Sequence, residues 1–177
     1  MIDKMSRVIL VTGGARSGKS RYAIDQAARD YRKKAFIATA IPFDGEMKER
    51  IAKHQTERDK SFLTIEASYD LAHALDSVAG RVDGVVIDCL TVWLGNLMHR
   101  NGVDAEAYPE VQDFLNRLEN PPCDVLMVTN EIGMGIVPDN AMSRRFRDLA
   151  GKLNQDAAAL ADVVILMVCG HSIVIKG

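Results

Sequence analysis

The stretch Gly13-Gly14-Ala15-Arg16-Ser17-Gly18-Lys19-Ser20 decides the fold, because it fits the spacing GxxxxGK[ST]. An apolar run at residues 8–12 predicts a strand before it, and helical spacing at residues 19–32 predicts a helix after it. Glycines let successive backbone N–H groups turn toward phosphate oxygens, and the helix N-terminus adds the positive end of its dipole. The alternative is a glycine-rich turn that binds nothing, but the spacing and its context agree. We therefore predict a phosphate-binding loop (P-loop) for a nucleoside triphosphate.

Apolar runs alternate with helical patterns along the rest of the chain. Strands are predicted at residues 8–12, 35–40, 62–66, 84–88, 125–129, 163–168 and 172–175. Helices are predicted at residues 19–32, 44–57, 90–98, 105–118 and 140–161, with a further helix capped by Ser68. Because the strands are continuous apolar runs, both faces of the sheet must be covered. The pattern predicts an α/β P-loop NTPase with a mostly parallel sheet, helices on both faces, and a single domain over residues 1–177.

Composition limits the classes of partner and the location. The chain has 177 residues, is 47% hydrophobic and 26% charged, and carries a formal net charge of −2, which gives no electrostatic support for a nucleic-acid partner. Its longest apolar run, residues 163–169, is far shorter than the roughly 20 residues of a membrane span, and the N-terminus shows no stretch of signal-peptide length. The three cysteines include no CxxC pair. We expect a cytoplasmic protein with free thiols.

Asp88 ends the apolar strand predicted at residues 84–88. A carboxylate there lies at the carboxyl edge of the sheet, where folds of this class bind ligands. Lys19 is expected to reach the terminal phosphates, and Ser20 and Asp88 are expected to hold Mg²⁺. The alternative is that Asp88 only caps the helix that begins near Leu90.

His54 is a second candidate centre. The predicted helix at residues 44–57 places Met47, Ile51 and His54 on one face, with Arg50 one turn before the histidine. A neutral imidazole can attack phosphorus, and a nearby cation would stabilise the attacked phosphate. Taken from the residues alone, a solvated histidine on a charged helix is the more common explanation.

Four stretches of this chain together resemble the bifunctional adenosylcobinamide kinase / adenosylcobinamide-phosphate guanylyltransferase family of cobalamin biosynthesis. They extend over almost the whole sequence, and the last is long and specific. The stretches are Val11-Thr12-Gly13-Gly14-Ala15-Arg16-Ser17-Gly18-Lys19-Ser20; Arg50-Ile51-Ala52-Lys53-His54 continuing to Thr64-Ile65-Glu66; Asp88-Cys89-Leu90-Thr91-Val92-Trp93-Leu94-Gly95-Asn96-Leu97; and Val128-Thr129-Asn130-Glu131-Ile132-Gly133-Met134-Gly135-Ile136-Val137-Pro138 with Arg147-Asp148-Leu149-Ala150-Gly151-Lys152-Leu153-Asn154-Gln155.

The resemblance implies an enzyme with two steps and a RecA-like fold. It would phosphorylate adenosylcobinamide with ATP or GTP and then transfer GMP from GTP to adenosylcobinamide phosphate through a guanylyl-histidine, for which His54 holds the matching position. The family also forms homotrimers. The residues that match its nucleotide contacts are Gly13, Gly14, Ala15, Arg16, Ser17, Gly18, Lys19, Ser20, Ala38, Thr39, Ala40, Gln55, Thr56, Glu57, Arg58, Glu66 and Asp88.

Three residues depart from the family pattern His-Arg-x-x-Arg-Pro-x-x-Trp. Gln55 replaces the first Arg, Asp59 the Pro and Phe62 the Trp, whereas Arg58 is retained. Gln55 removes one cationic contact to phosphate or base, and Asp59 removes a backbone constraint at the end of the helix. Neither change deletes the nucleophile.

Several alternatives remain open from sequence. Glu131 could approach a metal or an acceptor hydroxyl, or it could anchor a loop. Cys89 and Trp93 are expected to be core residues. As functions, a monofunctional P-loop kinase for a small hydroxyl compound would need no His54, and a nucleotide-gated regulatory module would hydrolyse nucleotide slowly.

Overall fold

Seven strands form one sheet in the computed structural model, which describes residues 6–41, 61–102 and 108–177. The sheet order is β3-β2-β4-β5-β1-β6-β7, with every neighbouring pair parallel except β6 and β7, which are antiparallel. The strands are β1 (Val8–Gly13), β2 (Lys34–Ala38), β3 (Phe62–Glu66), β4 (Gly84–Asp88), β5 (Asp124–Val128), β6 (Val163–Val168) and β7 (His171–Lys176). The mostly parallel α/β sheet expected from the apolar runs is confirmed.

Helices cover both faces of this sheet, because its central strands are apolar on both sides. On one face, α1 packs through Ala23 and Ala27 against β1, β4 and β5. The remaining described helices contribute to the core on the opposite face. The helices are α1 (Lys19–Asp30), α2 (Leu71–Ser77), α3 (Leu90–Asn101), α4 (Pro109–Glu119) and α5 (Ala141–Leu160), with a 3₁₀ turn at Ile132–Met134.

The larger core is centred on Trp93, which is fully buried as predicted. Its indole meets the ring of Phe114 edge-on, with centroids 5.3 Å apart, and its Nε1–H donates to the Tyr69 carbonyl at 2.7 Å. A fully buried side chain of this size contributes about 3 kcal/mol through burial, and its one polar group is satisfied. This packing fixes the position of α3, which begins two residues after the end of β4.

One boundary prediction was wrong. The helix after β3 is capped by Asp70, whose carboxylate accepts from the His73 N–H at 2.9 Å, and not by Ser68. Ser68 lies two residues farther back, where its carbonyl accepts from the Asn96 side chain. The predicted helix at residues 44–57 and the start of the one at residues 105–118 lie outside the described residues. Within the described ranges, no helix combines the length and the apolar character required to cross a membrane.

Candidate active site

The loop between β1 and α1 has a backbone suited to surrounding an anion. Arg16 and Gly18 adopt left-handed conformations, with φ of 56° and 98°. A left-handed residue placed among right-handed neighbours turns successive N–H groups inward, as in anion-binding nests. Gly13 is required for another reason: a Cβ there would lie 2.4 Å from the Met167 carbonyl oxygen on β6. The glycines therefore serve both loop curvature and close packing on the sheet.

Lys19 lies within this loop and is only 6% exposed. Its Nζ donates to the Gly14 carbonyl at 2.6 Å and lies 3.5 Å from Ser17 Oγ. Burial lowers the pKa of this ammonium, and the negative charges of Asp88 and Glu131 oppose that change without cancelling it. A buried cation next to inward-turned amides is a site for a polyanion, because bound phosphates would compensate the desolvated charge.

The carboxyl ends of the parallel strands bring the other predicted residues to the same edge. Ala38 of β2 pairs in register with Asp88 of β4, which in turn pairs with Val128 of β5, the neighbour of β1. Glu66 ends the outer strand β3 opposite Ala38 and is exposed. Ala38, Glu66 and Asp88 thus line one edge of the sheet together with the phosphate loop.

Asp88 is half-buried, and the residue at the N-cap of α3 is Cys89, whose side chain makes no capping bond. Asp88 is therefore the residue before the N-cap of α3 and the last residue of β4. Thr39 is buried and its hydroxyl accepts from the Cys89 N–H at 2.8 Å and lies 3.0 Å from the Cys89 carbonyl. The Thr39 side chain thus joins the end of β2 to the start of α3, and its backbone is held as well, since its N–H donates to the Asp88 carbonyl and its carbonyl accepts from the Asn96 side chain.

Glu131 belongs to a hydrogen-bond network that the sequence analysis did not predict. Its Oε1 accepts from the Thr12 hydroxyl at 2.5 Å and from the Asn154 side chain at 3.1 Å, and its N–H donates to the Gly13 carbonyl at 3.1 Å. Asn154 is oriented by the Thr129 hydroxyl at 2.7 Å. The sequence signal that could have predicted this network is the change from apolar to polar residues at the ends of β1 and β5.

The turn between β6 and β7 closes the other side of the loop. The Gly170 N–H donates to the Ser17 carbonyl at 3.0 Å, and a Cβ at Gly18 would lie 3.4 Å from the Gly170 Cα. This contact supports the loop from a segment far away in sequence. The next residue, His171, is exposed. Its side chain makes no hydrogen bond within the described parts of the chain, so these contacts assign it no role.

The predicted nucleophile and the residues after it, His54, Gln55, Thr56, Glu57, Arg58 and Asp59, lie outside the described residues. Phe62, the third departure from the family pattern, is described and is buried at the start of β3. Its ring lies 5.3 Å from the Lys34 ammonium. An aromatic residue is therefore retained there in a packing role, with a cation over its face.

Thiol reactivity offers a direct test of burial at the end of β4. Burial raises the pKa of the Cys89 thiol to about 12 and that of Cys123 to about 11, with the Asp88 and Asp124 carboxylates adding to the respective shifts. Cys169 is exposed. Since the thiolate is the reactive form, we expect one fast-reacting thiol per native chain at pH 8, and three after unfolding in denaturant. A chromogenic disulfide reagent measures this count, and a second fast native thiol would contradict the packing around Cys89 or Cys123.

Known proteins resemble this chain over nearly its whole length. A family model described as cobinamide kinase / cobinamide phosphate guanyltransferase matches residues 9–175. The bifunctional adenosylcobalamin biosynthesis protein CobU of Salmonella typhimurium is 38% identical over 181 residues, an alignment that covers 96% of this chain and 99% of that protein. The corresponding protein CobP of Pseudomonas aeruginosa is 39% identical over 171 residues, covering 95% and 96%.

A solved structure supports the fold at much lower identity. An ATPase from the type III secretion system of pathogenic bacteria superimposes with a TM-score of 0.54 and 9% identity, covering 90% of this chain and 50% of that one. That likeness concerns the P-loop NTPase fold. Together with the loop geometry and the match over residues 9–175, the sequence relatives show that this chain belongs to the cobinamide kinase / cobinamide phosphate guanyltransferase family.

Proposed function

We propose that this chain, as one domain, phosphorylates adenosylcobinamide with a nucleoside triphosphate and then transfers GMP from GTP to adenosylcobinamide phosphate. The product of the second step is adenosylcobinamide-GDP, and pyrophosphate is released. The observation that carries the proposal is the family match over residues 9–175, which includes the loop built around the buried Lys19. Relatives named bifunctional favour this function over a monofunctional kinase.

In the kinase step, Lys19 and the amides of residues 13–20 would neutralise the charge that develops on the γ-phosphoryl group. Ser20 in the first turn of α1 and Asp88 at the end of β4 would hold Mg²⁺, which supplies further charge neutralisation when bound. Both are half-buried hard oxygen donors, and the charge of Asp88 acts on Lys19, so the carboxylate lies close to the loop. This donor set suits Mg²⁺, which takes few protein ligands and completes its shell with phosphate and water.

In the guanylyl step, His54 would attack the α-phosphorus of GTP. The bond from its ring nitrogen to phosphorus forms while the bond to the pyrophosphate oxygen breaks, and the phosphate oxygen of the second substrate later displaces the histidine. An unperturbed imidazole has a pKa of about 6.5 and is therefore mostly neutral and nucleophilic near pH 7. Arg50 or Arg58 would offset charge on the attacked phosphate. The remaining nucleotide contacts would come from Ala38, Thr39, Ala40, Gln55, Thr56, Glu57 and Glu66.

We further propose a cytoplasmic homotrimer. Large apolar side chains are exposed on β7 and in the segment after the 3₁₀ turn, including Ile136 at 94% exposure, and apolar surface of this kind is typical of subunit interfaces. Its free cysteines suit a reducing compartment. Sedimentation equilibrium should give three times the chain mass of 19.5 kDa, and a monomer at micromolar concentration would contradict the trimer.

Labelling with GTP that carries a radioactive α-phosphate tests the transferase function. The protein should acquire a covalent label that is lost in acid and retained in base, because a phosphoramidate bond breaks in acid. A monofunctional kinase would give no label. Nucleotide consumption that does not depend on cobinamide would instead favour a regulatory module.

A further inference from the structure

Glu131 lies between the phosphate loop and Asp88. It follows β5, the strand between β1 and β4 in the sheet, and neighbouring strands are about 4.8 Å apart. Its N–H is bonded to the Gly13 carbonyl, which fixes its backbone to the first residue of the loop. Its charge also acts on the Lys19 ammonium. The residue is therefore close to the place where a terminal phosphate would be held.

The two carboxylate oxygens of Glu131 have different surroundings. Oε1 accepts both the Thr12 hydroxyl, at 2.5 Å, and the Asn154 amide, at 3.1 Å. Asn154 is itself held, because it donates to the Asn130 carbonyl at 3.1 Å and accepts from the Thr129 hydroxyl. Oε2 accepts no hydrogen bond from any residue in the described ranges. One oxygen thus fixes the orientation of the side chain and the other keeps its acceptor capacity.

Glu131 is half-buried and borders a groove that opens to solvent on the side of the sheet that α5 covers. Glu131, Thr12 and Asn154 border an open groove of about 230 Å³ between α5 and the strands β1 and β6, where the other lining residues include Leu10 and Val164. A loop anchor would not need a charge here, because the amide oxygen of glutamine could accept the same two bonds. The free oxygen is therefore the feature that requires a functional explanation.

We propose that Glu131 is a further catalytic residue of the kinase step, in which Oε2 accepts a hydrogen bond from the acceptor hydroxyl and aims its oxygen at the γ-phosphorus. This inference rests on the kinase activity proposed above. The acceptor oxygen bonds to the γ-phosphorus while the bond from that phosphorus to the β–γ bridging oxygen breaks, and a nucleoside diphosphate leaves. The hydroxyl proton passes to Oε2 and then to solvent. Phosphoryl transfer depends mainly on positioning, so the orientation of the hydroxyl is the main contribution.

Glu131→Gln isolates the free oxygen. The amide oxygen of glutamine can still accept from Thr12 and Asn154, whereas its NH₂ group replaces Oε2 and cannot accept a hydrogen bond. We expect kcat for cobinamide-dependent ATP consumption to fall about 100-fold. Formation of the guanylyl-enzyme from GTP alone needs no acceptor hydroxyl and should fall far less. Glu119→Gln, the same chemical change at an exposed position at the end of α4, is the matched control.

Thr12→Val tests whether the anchored orientation matters. Valine keeps the shape of the buried Thr12 but removes the hydroxyl that holds Oε1. If Thr12 acts through Glu131, Thr12→Val should lower kcat in the wild-type background and have little further effect on Glu131→Gln. A purely structural role would instead make the two losses additive and lower the midpoint of thermal unfolding in both variants.

The outcomes separate this inference from the proposed function. Kinase activity of Glu131→Gln within a few-fold of wild type, or equal losses in the kinase and guanylyl-enzyme assays, would overturn the role of Glu131. A wild-type protein that shows no cobinamide-dependent kinase activity would contradict the proposed function itself.

Discussion

Lys19→Met is expected to lower both the kinase rate and the rate of guanylyl-enzyme formation by about 1,000-fold, because both steps use a triphosphate held by the same loop. Lys19 is buried inside that loop, where it bonds Gly14 and lies near Ser17. A buried charge stabilises a transition state more strongly than an exposed one, since water screens it less. Methionine keeps an unbranched side chain of similar length and removes the charge together with the hydrogen bond to Gly14.

The folded structure should survive this change. Burial lowers the pKa of Lys19, so the folded state disfavours its charged form relative to the unfolded chain, and the charge reduces stability at neutral pH. The midpoint of thermal unfolding should therefore stay constant or rise in Lys19→Met. Lys33→Met, at an exposed position before β2, is the control and should retain both activities. A Lys19→Met enzyme within tenfold of the wild-type rate would show that the loop does not bind the reacting phosphates.

His54→Ala is the second change with a large expected effect. It should reduce covalent labelling by α-labelled GTP to background and abolish GMP transfer, because no other group would form the bond to the α-phosphorus. Some kinase activity should remain, since the γ-phosphoryl transfer uses the loop and not the imidazole. The measurement compares protein-bound label with cobinamide-dependent ATP consumption in the same preparations.

His73→Ala provides the matched histidine control. His73 lies exposed in the first turn of α2, where only its backbone N–H is used by the Asp70 cap. The His73→Ala variant should acquire as much covalent label as the wild type. Persistent label on His54→Ala would assign the covalent intermediate to another residue. Equal loss of both activities would contradict separate roles for His54 and the loop.

Much of the fold could be predicted because it depends on local patterns. Both ends of the strand at residues 84–88 were predicted correctly, since glycine and aspartate mark the two ends of a continuous apolar run. The N-cap of α2 was misplaced by two residues, because Ser68 and Asp70 are both good capping residues and only the direction of the chain leaving β3 selects Asp70.

In the candidate site, too, some residues could be predicted from local sequence, whereas the long-range contacts could not. The phosphate loop is encoded within eight neighbouring residues, and Asp88 was found because its position at the end of an apolar strand is visible in the sequence. The contacts of Thr39 with Cys89 and of Gly170 with Ser17 join residues 50 or more positions apart. No periodicity predicts such pairs, because they depend on which strands become neighbours in the sheet.

The sequence by itself determined that this protein has a phosphate loop between a strand and a helix, because the spacing of the loop residues carries that signal. It also determined the enzyme family, because four stretches of the chain resemble that family. The tertiary structure alone decided that β5 lies between β1 and β4, and so brought Glu131 beside the loop. It also decided that Thr12 and Asn154 share one oxygen of that carboxylate. The physical reason is that strand order and hydrogen-bond partners are set by burial across the whole sheet, whereas motif spacing is set by local geometry.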